Sequence, residues 1–128
     1  NPSRIGHRVR SAEDEKLLGF LKDKRIHLEV CPSSNIQVNV FDKIEDHTAD
    51  IIYQSGVSMS ISTDARAITP VTLADEYLLL ERIFNWNKEH FYRCNLEAVE
   101  HAFIDSELKQ VLRKRIKKAY TGEIKNEE

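Results

Sequence analysis

Two residues in this chain combine a reactive side chain with a setting that could put it to use. His7 closes the run Arg4-Ile5-Gly6-His7, and Asp64 closes Gly56-Val57-Ser58-Met59-Ser60-Ile61-Ser62-Thr63-Asp64. An imidazole exchanges a proton near neutral pH, and a carboxylate can accept a proton or ligate a metal. Each follows a brief half-apolar run, which reads as a short strand. In parallel α/β architecture the chemistry sits at the carboxyl ends of strands. A third run, His27-Leu28-Glu29-Val30-Cys31-Pro32-Ser33-Ser34-Asn35, has the same design and brings Asn35 to the same rim. Both lead residues also have a plain structural reading. His7 could be a satisfied structural histidine, although Gly6 before it leaves room for something to approach closely. Asp64 could cap the next turn through its own side chain.

The remaining candidates read as structural. Ser33, Ser34 and Asn35 after Pro32 look like turn chemistry, and Cys31 looks like core. His27 starts a strand, His101 lies on a helix, and His47 stands at a helix start. The basic run Arg113-Lys114-Arg115-Lys117-Lys118 could hold a polyanion, but Ile116 and Ala119 carry a core stripe through it, so it reads as a solvated helix face. No His-x-His or His-x-x-x-His pair completes a metal site, Cys31 and Cys94 lie far from zinc-ligand spacing, and no glycine-rich phosphate loop is present. The His-x-Glu and Pro-Cys-x-x-Cys signature of zinc-cysteine base deaminases is absent as well.

The elements that must position the rim can be read in chain order. Ser11 with Asp14 forms a near capping box, and Leu17, Leu18 and Leu21 give the following helix an apolar face. Ile26 to Val30 is the second strand, ended by Pro32, so strand, helix and strand make a right-handed βαβ unit. Val38, Val40, Phe41 and Ile44 anchor a long loop. A short helix from about Asp46 to Ser55 turns Ala49, Ile52 and Tyr53 inward, and Gly56 stops it. After the third strand and the polar loop from Ala65 to Pro70, Thr72 and Asp75 cap a long helix with Leu73, Tyr77, Leu80 and Phe84 at helical spacing. Asn87 caps a helix carrying Phe91 and Cys94, with Leu96, Val99 and Phe103 continuing its pattern. Asp105 or Ser106 opens a last helix whose inner face is Leu108, Val111, Leu112, Ile116 and Ala119, ended by Gly122 and a charged tail.

The totals set the bounds. At 128 residues the chain is at most one domain, and 41% hydrophobic with 31% charged residues is an ordinary globular mixture. A formal charge of −2 does not favour nucleic acid or an anionic membrane as partner. No apolar run approaches the ~20 residues that span a bilayer. No basic-then-apolar leader is seen, and two distant cysteines do not make a disulfide framework, so a reduced cytoplasmic location is expected. The chain opens on Asn-Pro rather than Met, which reads as a piece of something longer, although a trimmed tag or processed terminus would look the same.

Taken together and in order, Arg4-Ile5-Gly6-His7, Leu28-Glu29-Val30-Cys31-Pro32-Ser33-Ser34-Asn35 and Ser62-Thr63-Asp64 resemble the last three strand motifs of the adenosine deaminase family. That family belongs to the metal-dependent amidohydrolases. His47 falls where the family has a histidine opening the helix before the last strand, and Asn95-Leu96-Glu97-Ala98 onward looks like its C-terminal helices. The arginine shortly after Asp64 resembles the bacterial branch. The resemblance covers nearly all of residues 1–128. It implies an α/β fold, the C-terminal part of a (β/α)₈ TIM-type barrel comprising about strands six to eight and their helices. It also implies zinc as cofactor and a purine nucleoside as substrate, with adenosine hydrolysed to inosine and ammonia. By the same resemblance Asp64 is a zinc ligand touching the attacking hydroxide, and His7 lies beside that hydroxide and orients it or takes its proton.

Two positions depart from the family pattern. Arg8 stands where glycine is usual, and Ala65 stands where many members carry an aspartate that bonds the purine. Ala65 cannot make that bond, which leaves adenosine, adenine or another aminopurine open as substrate. The family's His-x-His pair, third zinc histidine and glutamate acid come from strands one and five, and none is in this sequence. The expectation is therefore a chain inactive alone that completes a site built elsewhere. Its partner would be the missing N-terminal barrel portion or a self-association partner covering two bare sheet edges. The competing reading is a non-catalytic interaction or assembly fragment.

Overall fold

A computed structural model describes residues 2–7, 9–38, 40–64 and 71–122. Arg8, Ala65, the loop 65–70 and the tail beyond Gly122 lie outside the described residues. Three strands, β1 (Arg4–Gly6), β2 (His27–Val30) and β3 (Met59–Ile61), form a parallel sheet in the order β1-β2-β3. The register pairs Arg4 with His27 and Gly6 with Glu29, then Leu28 with Met59 and Val30 with Ile61. Side chains alternate across a strand, so this register sorts the sheet into two faces. Leu28, Val30, Met59 and Ile61 share the apolar face, each at most 8% exposed, and removing each from water contributes about 1.5–3 kcal/mol. Arg4, Gly6, His27, Glu29 and Ser60 share the other face. That polar face is what a closed barrel would turn inward.

Among the described residues there are six α-helices: α1 (Glu15–Asp23), α2 (Pro32–Gln37), α3 (Ala49–Ser55), α4 (Leu73–Phe84), α5 (Lys88–Glu100) and α6 (Ser106–Thr121). Leu18 and Leu21 of α1, Ala49 and Ile52 of α3, Leu80 of α4, and Phe91 and Cys94 of α5 join the strands in one core. Trp86, 1% exposed, fills the space between α3 and α5, and its indole N–H donates to Asp50 Oδ1 at 2.9 Å. Thr72 and Asp75 form a full capping box on α4, Asp105 caps α6, and Gly56 ends α3 at φ 82°, a conformation that favours glycine. Among the described residues, β1 and β3 are sheet edges with no further strand beside them.

Several expectations are corrected. Asp14, not Ser11, caps α1, accepting from the Lys16 and Leu17 amides at 2.9 and 3.2 Å, while Ser11 belongs to a 3₁₀ turn over Val9–Glu13. Leu17 is 39% exposed and outside the buried face. Ser33, Ser34 and Asn35 are helical, because Pro32 at the first position opens a helix as readily as it ends a strand. The helix expected from Asp46 begins at Ala49, after a 3₁₀ turn over Ile44–Asp46. The third strand stops at Ile61, three residues before Asp64. On α6 no residue is buried: Leu108 and Val111 are 43% and 45% exposed, Ala119 is exposed, and Phe103 before it is 81% exposed. The stripe on α6 is real, but only its α5-facing side finds cover.

Candidate active site

The carboxyl ends of the three strands bring His7, Asn35 and Asp64 together. His7 Nε2 lies 3.4 Å from Asp64 Oδ2, and His7 Nδ1 lies 3.3 Å from Asn35 Nδ2. The Ser34 hydroxyl donates to Asp64 Oδ2 at 2.9 Å. The β1–β2–β3 order explains the meeting: α2 begins directly after β2, the middle strand, and delivers Ser34 and Asn35 between the end of β1 and the end of β3. Both His7 and Asp64 sit at φ 60°, in the left-handed region that non-glycine residues visit rarely. Holding a residue there costs roughly 1–3 kcal/mol, and such strain clusters at functional sites. Both side chains stay accessible, at 45% and 40% of their surface. A cleft of about 350 Å³ opens beside His7, lined also by Arg10, Ser11, Leu17 and Val40. At Gly6 an added Cβ would meet only Glu29 Oε2, at 3.9 Å, so the room it leaves lies on the open face.

Behind this rim the support is buried and polar. Asn35 is 0% and His47 is 3% exposed, and His47 Nε2 lies 2.9 Å from Asn35 Oδ1. His47 Nδ1 accepts the Ala49 amide at 3.0 Å, so this histidine does open α3. Burial lowers its pKa to about 4 and keeps it neutral. Glu76 of α4, 0% exposed, presents both carboxylate oxygens to the Ser33 amide at 3.3 Å and so caps the otherwise uncapped start of α2. Burial pushes its carboxyl above the usual range, partly offset by the Ser33 bonds. Cys31 is raised to about 11, by burial first and by the Asp64 charge second, which removes it as a thiolate nucleophile.

Sequence reasoning placed His7, Asn35 and Asp64 on one rim but missed the roles of Ser34 and Glu76 and the bond between Asn35 and His47. The signal for Ser34 was available, since it stands at a strand end beside the strand that carries Asp64. The amino ends of the strands tell a different story. His27, Glu97 and His101 offer ligand atoms all within 4.8 Å of one another, among the described residues the one such group. This is not a second reading of the rim, because His27 begins β2 and Val30 ends it, about 10 Å apart at strand rise. Nor is it poised for a metal. His27 Nδ1 and Nε2 are engaged by Ser58 and Ser60 at 2.7 and 2.8 Å, and its ring stacks on His101 at 4.7 Å. Arg4, whose charge lowers the His27 pKa, donates to the His101 carbonyl at 3.3 Å.

A family profile described as Adenosine deaminase matches residues 1–119. The adenosine deaminase of Plasmodium gallinaceum is 38% identical over 111 residues, covering 87% of this chain and 31% of that protein. The adenine deaminase of Rhizobium leguminosarum bv. trifolii is 37% identical over 116 residues, covering 91% and 36%. The crystal structure of an adenine deaminase from Arthrobacter aurescens superposes with a TM-score of 0.88 at 22% identity, covering 93% of this chain and 36% of that one. The small parallel sheet with its helices thus matches part of a larger α/β deaminase fold, and the chain spans about a third of the length of these relatives.

Proposed function

Because the chain belongs to the adenosine deaminase family, we propose that it is the C-terminal segment, about strands six to eight, of a (β/α)₈ barrel that hydrolytically removes the 6-amino group of an aminopurine. The observation that carries this reading is the meeting of His7 and Asp64 at 3.4 Å, both accessible and both in strained backbone, at the carboxyl ends of parallel strands. Asp64 fits a zinc ligand: its Oδ2 accepts from Ser34 and lies 3.4 Å from His7, and two fifths of the side chain is open. Zinc, when bound, supplies a water acidified to near neutral pH. Asp64 would hold it together with ligands from the preceding part of the barrel.

His7, 3.4 Å from the Asp64 carboxylate, would orient that water toward the purine ring. The polar sheet face, with Glu29 paired to Arg4, lines the lower interior of the closed barrel. The similar identities to an adenosine and an adenine deaminase, together with Ala65 in the place of a purine-bonding aspartate, support two substrates, adenosine and free adenine. Cys31 and Cys94 are both free and buried, and no helix among the described residues is long and apolar enough to cross a membrane; the cysteines are in keeping with a reducing, cytoplasmic setting. The test is turnover of adenosine and of adenine by the full-length protein with its metal content measured. Ammonia release from either, lost on Asp64→Asn together with the zinc, supports the reading, and a zinc-free protein that turns over neither removes it.

A further inference from the structure

The hydrogen bonds behind the rim can be followed from a donor that is not in doubt. A backbone amide can only donate, so Ala49 N–H fixes His47 Nδ1 as an acceptor. Neutral His47 therefore carries its proton on Nε2 and donates it to Asn35 Oδ1 at 2.9 Å. That bond fixes the amide of Asn35, whose Nδ2 must be the NH₂ group directed at His7 Nδ1 at 3.3 Å. His7 Nδ1 is then an acceptor, and its own proton sits on Nε2, directed toward Asp64 Oδ2.

We propose, building on the deaminase reading above, that Asn35 and His47 are positioning residues that lock His7 in the Nε2–H form, so that its imidazole donates toward Asp64 and the attacking water instead of accepting the water's proton. The lock is geometric. For Nε2 to accept a proton, His7 would have to carry its hydrogen on Nδ1, facing the Asn35 NH₂ group. Turning the Asn35 amide over would relieve that clash only by setting its NH₂ against His47 Nε2–H. Moving the His47 proton would in turn leave the Ala49 amide without its acceptor. Asn35 at 0% and His47 at 3% exposure have no solvent to take up the slack. A buried donor or acceptor left without a partner pays its full desolvation penalty, so the alternative arrangement is strongly disfavoured.

The experiment uses the full-length protein, zinc-loaded, with ¹⁵N-labelled histidine and long-range proton–nitrogen correlation spectra, His7 being assigned by its disappearance in His7→Gln. The wild-type spectrum is expected to show a protonated Nε2 and a bare Nδ1. Asn35→Asp, a near-isosteric change that replaces the donor with an acceptor, should move the proton to Nδ1 and lower kcat ten- to a hundredfold with KM within twofold and zinc content unchanged. His47→Gln, which can still donate to Asn35, should keep the Nε2–H pattern, whereas His47→Leu should lose it. A wild-type His7 protonated on Nδ1 overturns the proposal without any variant, as does an Asn35→Asp protein whose His7 pattern is unchanged. If the wild-type protein turns over neither adenosine nor adenine, the deaminase reading fails. If it turns over one of them with Nδ1 protonated, the lock alone fails.

Discussion

The two ends of this three-stranded sheet use nearly the same residues to opposite effect. At the carboxyl ends stand His7, His47, Ser34, Asn35 and Asp64; at the amino ends stand His27, His101, Ser58, Ser60 and Glu97. At the amino ends everything is interlocked. His27 is 1% exposed with both nitrogens engaged, and the Ser58 hydroxyl donates to Glu97 Oε2 at 2.6 Å. The end of α5 packs across, so that His101 stacks on His27. At the carboxyl ends only the second rank, Asn35 and His47, is sealed. The front rank, His7 and Asp64, is open and held in left-handed backbone. Residue type therefore does not separate the two ends. What distinguishes the carboxyl ends is a histidine–aspartate pair left accessible, in left-handed backbone, in front of a buried hydrogen-bonded network.

Substitutions at the two ends should separate activity from stability. The largest effect expected is on Asp64→Asn in the full-length protein: turnover falls by roughly a thousandfold or more, equivalent to ~4 kcal/mol of transition-state stabilisation, while the melting temperature of the metal-free protein barely moves. Loss of fold in that variant would erase the distinction between the ends. The mirror change, His27→Ala, should cost ~3 kcal/mol in a denaturant titration, because it opens a cavity and strands the hydroxyls of Ser58 and Ser60. Turnover per folded molecule should be unchanged.

Acid should act on the amino end in the same direction. Burial first, with the charges of His101 and Arg4, lowers the His27 pKa to about 4 from 6.5. Between these values the unfolded chain binds the proton and the folded chain does not, so stability is present above pH 6.5 and is lost as pH falls toward 4. The loss from this group is about 3 kcal/mol, measured as the difference between wild type and His27→Gln across that window. A pH-independent difference would show that the ring is not held neutral.

The smallest effect expected is at Glu76, and its sign is reversed. Its carboxyl is raised by burial, so its stabilising contribution is full at low pH and is lost as pH rises through the raised value. Glu76→Gln should flatten that slope on the alkaline side of the ordinary glutamate range, visible as a smaller fall in melting temperature between pH 4 and pH 7.

Much of this was legible in the sequence, for local reasons. Short apolar runs, Pro32 and the Gly56 stop give three strands and their order, and the caps at Thr72, Asn87 and Asp105 place the last three helices. His7 follows from a strand end, whereas Asn35 stands in α2 and Asp64 three residues beyond β3. What was not legible depends on contacts between distant segments. Asn35 and His47 are each unremarkable, and their bond exists only because α2 and the start of α3 fold against each other. Glu76 follows Asp75 at a helix start, where acidic residues ordinarily face water and favour the dipole. Only the packing of α4 over α2 makes it a buried cap. The α6 stripe misled in the other direction, since periodicity reports which residues share a helix face and not whether anything covers that face.

The central claim is that this chain contributes the last part of a site it cannot build alone, at the carboxyl ends and not at the amino ends. The direct test measures zinc content and aminopurine deamination on the 128-residue chain and on the full-length protein side by side. The account predicts zinc and turnover in the full-length protein only, both lost with Asp64→Asn and both retained with His27→Ala in the folded fraction. Stoichiometric zinc in the 128-residue chain, removed by His27→Ala and untouched by Asp64→Asn, would contradict it and move the metal to the other end of the sheet.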